Sequence, residues 1–358
     1  MSLREADRLR EDVPGITRHR FPEDVERSLA RLRGLDNWHG PLALLTDWAV
    51  IIGAAAVTER FSGWAWWPVY LVVALPVIGT RQRALATLLH EATHRVLAKN
   101  RALNMFLGTV PSAHLVLQSH RTYERSHLRD HHGGFGNPRT DPDLRAHIAS
   151  GLYRPMTGRA FTLRYLLAPL VGVRTLALVK ELLVSRLAGN RSEITAGLGV
   201  LLYVGSVGAV FTATGAGRLF LAYWLVPLFL VFPLVNWYIE LLEHFPLVGR
   251  ERVDIRASRP RAVGWFSRHL LGIHNEGYHL DHHLSTKIPF WNLPAAHRLR
   301  LRDPHYRAAV EASSPPGTGL LWQFRDMARQ IDAGTTTARI GELGHTLPEL
   351  ARKGGSRG

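Results

Sequence analysis

Cysteine is absent from the 358-residue chain. That absence removes disulfides, thiolate zinc sites, iron–sulfur clusters and cysteine nucleophiles together, so any metal has to be held by histidine, carboxylate or water. Acidic residues are also scarce: 29 Asp and Glu face 44 Lys and Arg, which leaves a formal charge of +15. An excess of that size points to nucleic acid, an anionic membrane face or an acidic partner. No nucleic-acid recognition motif accompanies the charge, so nucleic acid is set aside as a partner. The opening stretch, MSLREADRLREDVPGITRHRFPEDVERSLARLRG, lacks an apolar core and does not read as a secretory signal.

Apolar residues make up 46% of the chain and sit in blocks between Arg-rich stretches. Four runs, 41–58, 64–80, 194–213 and 219–235, approach the roughly 20 residues that a membrane-spanning helix needs. The short connections ERFSG and TGAGR join them in two pairs, so they read as two transmembrane hairpins. Those connections hold Arg60 and Arg218, and the other side of the membrane then holds every other basic residue of the 44. By the positive-inside rule this places both termini in the cytoplasm, in a multi-pass protein of the plasma membrane. Asp47, inside the first run, is costly in lipid and is expected to face protein or a polar cavity. Segment 104–117 is too short to cross, and 164–189, with Arg164, Arg174, Lys180 and Arg186 at intervals, reads as amphipathic and interfacial. The expected organisation is a cytoplasmic segment 1–39, a membrane domain 40–303 and a polar cytoplasmic tail 304–358.

Histidine is abundant, with 19 residues, and three clusters stand out: HEATH (His90, His94), SHLRDHH (His127, His131, His132) and YHLDHH (His279, His282, His283). On a helix, positions four apart share a face, so His90 with His94 and His127 with His131 can converge on one metal. A directly following His, as His132 and His283 are, points about 100° away and can serve a second metal nearby. An even number of crossings separates the three clusters, which keeps them on one side of the membrane. HEATH alone fits a zinc peptidase, with Glu91 as base, but that leaves six clustered histidines unexplained. A metal transporter would place its ligands at mid-membrane, whereas these clusters fall outside the runs. Glu91 reads better as an acceptor that orients a His ring.

Boxes of the form H-x3-H, H-x3-H-H and H-x2-H-H around two membrane hairpins resemble the integral-membrane fatty acid desaturase and hydroxylase family. So do the flanking stretches HEATHRVLAKNRALNMFLG, SHLRDHHGGFGNPRTDPDL and YHLDHHLSTKIPFWNLPAAH, over roughly residues 40 to 300. The resemblance implies an all-α membrane protein whose cytoplasmic helical cap holds two non-haem irons. With dioxygen and two electrons, that centre attacks an unactivated C–H bond of an acyl chain linked to lipid, coenzyme A or acyl carrier protein. A second hydrogen abstraction gives an alkene and oxygen rebound an alcohol, and desaturation and hydroxylation are both carried forward. The implied ligands are His90, His94, His127, His131, His132, His279, His282 and His283, with His244 of ELLEHFP as a ninth. Glu243 precedes that His, and Glu240 stands where many members have Asn. A carboxylate there could bind iron or accept a proton. Without a fused electron-transfer module, a separate donor such as a ferredoxin with its reductase is implied.

His120, His274 and Asp281 lie near boxes and are candidates for supporting or additional ligands; Asp141 and Asp143 could support the second-box rings or cap a helix. His114 is expected to pack in its apolar stretch. His19, His39, His147, His269, His297, His305 and His345 are read as surface or structural residues.

Overall fold

The structure is a computed structural model that describes residues 16–340, apart from 173–174, 177–178, 181–183, 185–188, 262–263, 265–266 and 338–339. Arg174, Arg186, His345 and the ends 1–15 and 341–358 lie outside the described residues. Among those described the fold is helical, with a lone β-bridge between Thr17 and Val253.

After a short amphipathic helix α1 (Glu23–Arg31), α2 (His39–Thr58) and α3 (Gly63–Thr93) run 20 and 31 residues. A connecting pair follows, α4 (Arg101–Thr109) and α5 (His120–Glu124), the latter continuing as a π-helical stretch over Arg125–His131. Next come α6 (Pro142–Ala149), α7 (Arg191–Ala213) and α8 (Gly217–Arg250), the last two 23 and 34 residues long. The chain closes with α9 (His279–Leu284), α10 (Leu293–Arg300), α11 (Pro304–Ser313) and α12 (Leu320–Asp332). Four of these helices, α2, α3, α7 and α8, are long and apolar enough to cross a bilayer. Most of their apolar surface faces outward, as a lipid-facing bundle requires. Exposed Trp64 and Trp67 sit at the connection between α2 and α3, where aromatic rings anchor a membrane interface.

Helix length positions the site. At about 1.5 Å per residue, α3 and α8 reach roughly 46 and 51 Å, well past a hydrocarbon core of about 30 Å. His90 on α3 and His244 on α8 each lie 27 residues beyond their helix start, about 40 Å along the helix, so both stand at the same distance along their helices. The hydropathy runs ended earlier because Arg81 and Arg83 interrupt them, yet the helix continues: Arg81 pairs with buried Asp47 at 3.0 Å and Arg83 with Glu276 at 2.5 Å. Regular helix in α8 ends at His244, where Phe245 turns extended before Pro246, as a residue preceding proline prefers. Segment 104–117 packs inside the bundle, with the indole N–H groups of Trp48 and Trp224 donating to the carbonyls of Pro111 and Leu115.

The polar stretch from Pro304 forms α11 and α12, which bury Tyr306, Ala309, Val310, Met327 and Ile331 against the region around α9 and α8.

The bundle is held where α3 crosses α8. A Cβ built on Gly79 would lie 2.3 Å from that of Val231, so nothing larger than glycine fits at the crossing. Gly79→Ala is expected to lower stability by about 1–3 kcal/mol through overpacking. Thermal unfolding of the detergent-solubilised protein measures this, and adding Val231→Gly should restore part of the loss as a coupled pair.

Candidate metal centre

Four stretches of chain deliver nine imidazoles to one place. The end of α3 brings His90 and, one turn later, His94. The stretch Arg125–His131 is π-helical, which widens each turn so that residues five apart share a face. His127 therefore aligns with His132, and His131 turns to a different partner set. On α9, ordinary α spacing puts His279 and His283 on one face, with His282 facing elsewhere. His244 closes the ring from α8.

Two adjoining groups result. The ligand atoms of His90, His94, His127, His132 and His282 all lie within 4.8 Å of one another, and so do those of His131, His244 and His283. His279 joins the second group through 3.0 Å contacts between its Nε2 and those of His244 and His283. In the first group the Nε2 atoms of His94 and His127 are 3.0 Å apart, those of His127 and His132 3.1 Å, and those of His132 and His282 3.2 Å. The α-helical expectation that His127 and His131 serve one metal is thus replaced by the pairing that the π-turn imposes.

These spacings fit a bound metal. Nitrogens about 2.1 Å from one ion and at right angles to each other are about 3.0 Å apart. Hydrogen bonding alone cannot satisfy the set. His283 Nε2 touches both His131 Nε2 and His279 Nε2, at 3.2 and 3.0 Å, and a single proton can point to only one of them. The buried His90 Nε2 has no hydrogen-bond partner at all. Burial holds His94, His127, His132, His279, His282 and His283 well below the usual histidine range, with neighbouring imidazoles adding to the effect. They stay neutral and keep a lone pair for a metal.

Carboxylates orient the rings from behind. Asp141 Oδ1 lies 2.9 Å from His131 Nδ1, Asp143 3.2 Å from the same atom, and Glu243 3.3 Å from His279 Nδ1. Burial opposes a positive charge on His131, but Asp141 and then Asp143 outweigh it and lift that group to about 9. Glu91 Oε1 sits 3.1 Å from His90 Nδ1 while its Oε2 accepts the Phe290 N–H, so it positions a ring and is not aimed at open space as a base would be. A buried guanidinium, Arg261, bridges Glu243 at 2.7 Å and Glu276 at 3.2 Å, and Glu276 also takes Arg83.

Other candidates fall outside both groups. His274 binds Asp47 at 2.7 Å, and His120 lies 4.0 Å from Glu124. Asp281 is held by Arg300, His297 and Tyr306, so it anchors the helix that carries the third box. Glu240 accepts from Asn236 at 2.6 Å on the wall of a cavity of about 140 Å³ that reaches His90, His127, His131 and His279. Arg83, Arg261 and Glu276 were not singled out from the sequence. A usable signal was spacing: Arg83 stands two helical turns before His90, and Glu276 one turn before His279.

Asp141 tests the supporting role: its Oδ1 also accepts the Asp143 N–H as the cap of α6, and its Oδ2 accepts the Gly136 N–H, the one bond that an amide nitrogen there would give up. Asp141→Asn keeps the capping oxygen and removes the charge behind His131. Metal affinity, measured by competition with a chelator, should fall by about 10–100-fold with little change in helix content.

Comparison with known proteins meets this geometry. Residues 65–313 match the fatty acid desaturase family. The chain is 34% identical over 301 residues to dihydrorhizobitoxine desaturase of Bradyrhizobium elkanii, covering 82% of this chain and 83% of that one. It is 27% identical over 128 residues to a chloroplastic omega-3 fatty acid desaturase of Ricinus communis, covering 36% of this chain and 26% of the relative. Over 98 residues it is 28% identical to the chloroplastic sn-2 acyl-lipid omega-3 desaturase (ferredoxin) of Helianthus annuus, covering 26% of this chain and 21% of the relative. With four helices able to span a bilayer and a histidine-rich centre at their ends, the chain is a membrane-bound oxidoreductase that belongs to the fatty acid desaturase family.

Proposed function

We propose that this protein is an oxygen-dependent di-iron desaturase. One iron is held by His90, His94, His127, His132 and His282, and the other by His131, His244, His279 and His283. The observation that carries this reading is the division of nine imidazoles, six of them buried, into two adjoining groups with nitrogen spacings near 3.0 Å. A tetrahedral zinc site uses at most four of them. When bound, the iron pair supplies the two-electron activation of dioxygen that an unactivated C–H bond demands. Overall, two hydrogens leave adjacent carbons, and dioxygen, two electrons and two protons complete the formation of two waters and one alkene. The electrons come from a separate one-electron carrier of the ferredoxin class with its reductase; one relative carries ferredoxin in its name. With the basic residues concentrated on one side, the active site and both termini lie in the cytoplasm.

The chain's own residues prepare the site. Asp141, Asp143, Glu91 and Glu243 fix the ring orientations, and Arg261 keeps Glu243 and Glu276 in place. Tyr123 stacks on His127 with ring centroids 5.0 Å apart, and burial raises its phenol so that the proton stays on Oη. An acyl chain on lipid, coenzyme A or acyl carrier protein is one substrate reading, supported by the names of the two chloroplast relatives. The relative matched over most of its length is named for dihydrorhizobitoxine, which supports a different one.

Cells expressing the wild type in air should accumulate a compound two hydrogens lighter than its precursor, detected by untargeted mass spectrometry. That product should fall by roughly a hundredfold or more with His132→Ala, a larger loss than removal of a ring-supporting residue. A product that instead gains one oxygen atom would identify a hydroxylase and contradict the desaturase reading.

A further inference from the structure

We propose that a second cavity, between the end of α8, α11 and α12, binds a small oxyanion of the phosphate class. It measures about 110 Å³, and none of the nine clustered histidines lines it. The argument starts from Arg259 on its wall, a side chain with 0% of its surface exposed. Its Nη2 donates to the Phe245 carbonyl at 2.6 Å, while Nε and Nη1 have no acceptor among the described residues. Burial pushes the guanidinium down to about 10, Asp326 opposes this without forming an ion pair, and Arg250 adds to it. The group therefore stays charged at neutral pH, and a buried cation with unmade hydrogen bonds is costly unless a counter-charge meets it.

The carboxylates on the wall are already engaged. Glu251 is taken by Arg250, whose Nε lies 2.7 Å from Oε1, and Arg250 also donates through Nη1 to Gln330 at 2.6 Å. Asp326 accepts from Gln330 and, at 3.3 Å, from Arg329. Arg256 stands exposed at the rim, with no ion pair among the described residues. Arg259 and Arg256 are thus two cations facing one cavity without a carboxylate of their own, which matches the charge of about −1.5 to −2 that a phosphate group carries near pH 7. Water could fill the hydrogen bonds but not the charge. The space holds roughly seven to eleven water-sized groups, enough for a phosphate with its first waters and too little for a whole nucleotide. Arg259 also links this cavity to the metal centre, because its backbone N–H donates to the Glu243 carbonyl at 3.3 Å and its Nη2 to that of Phe245, on either side of His244. An anion held here locks α11 and α12 onto the stretch that carries His244.

Equilibrium dialysis of the purified full-length protein against radiolabelled inorganic phosphate, in detergent and otherwise phosphate-free buffer, tests this. Saturable binding is expected that potassium chloride at equal ionic strength does not displace. Arg259→Gln should weaken it by roughly tenfold or more, the usual effect of losing a charged donor, and Arg256→Gln by less. Phosphatidic acid bicelles that compete better than phosphatidylcholine bicelles would identify the anion as a lipid headgroup, and failure to compete would identify it as a soluble phosphate; both agree with the proposal. No saturable binding, displacement by chloride, or equal affinity in the wild type and Arg259→Gln overturns it. Should Arg259→Gln not fold, Arg256→Gln decides alone, and an unchanged affinity there overturns the proposal.

Discussion

Nine imidazoles, most of them buried and kept neutral, stand nitrogen to nitrogen at the ends of two long helices. Lone pairs this close repel one another unless a cation lies between them, and the rest of the architecture serves that constraint. The apolar parts of α3 and α8 set the height of His90 and His244, and the π-helical stretch divides the second box between two groups. Third-box ligands depend on α9, whose Asp281 is locked by Arg300, His297 and Tyr306. Loss of one of these supports is expected to weaken metal binding by about 10–100-fold.

Buried charge is organised in the same way. Arg83 and Arg261 draw Glu243 and Glu276 together, tying α3, α8 and the turn before α9 into one block behind the rings. Such pairs cost desolvation and add little net stability, but breaking one leaves an uncompensated buried ion. Their value here is positional: they hold one wall of the cavity rigid and polar next to the centre. The cavity on that side is walled by Arg83, Glu240, Glu243 and Glu276 together with four of the clustered histidines.

Much of this was legible in the sequence, and the failures have physical causes. The spanning helices follow from apolar runs, but their ends do not, because hydropathy stops at Arg81 while the helix goes on to Thr93 through pairings with Asp47 and Glu276. The three boxes were readable from type and spacing, and His244 only through the resemblance of ELLEHFP to the family. The assignment within the second box was not, since 3.6-residue periodicity pairs His127 with His131, and only the wider turn pairs it with His132. Polar composition after Pro304 hid two helices whose buried residues, Tyr306 with Ala309 and Val310, then Gln323 with Met327 and Ile331, recur at helical spacing. Glu240 was visible as a departure from the family, but the cavity wall it shares with Arg83, Gln118 and Glu276 was not, because those residues come from distant segments.

X-ray absorption at the iron edge of the purified protein, combined with metal counting, tests the central claim most directly. Two irons per chain are predicted, each surrounded by imidazole nitrogens at about 2.1 Å, with five histidines available to one and four to the other. A single iron, or zinc in a tetrahedral site with full activity, would contradict it.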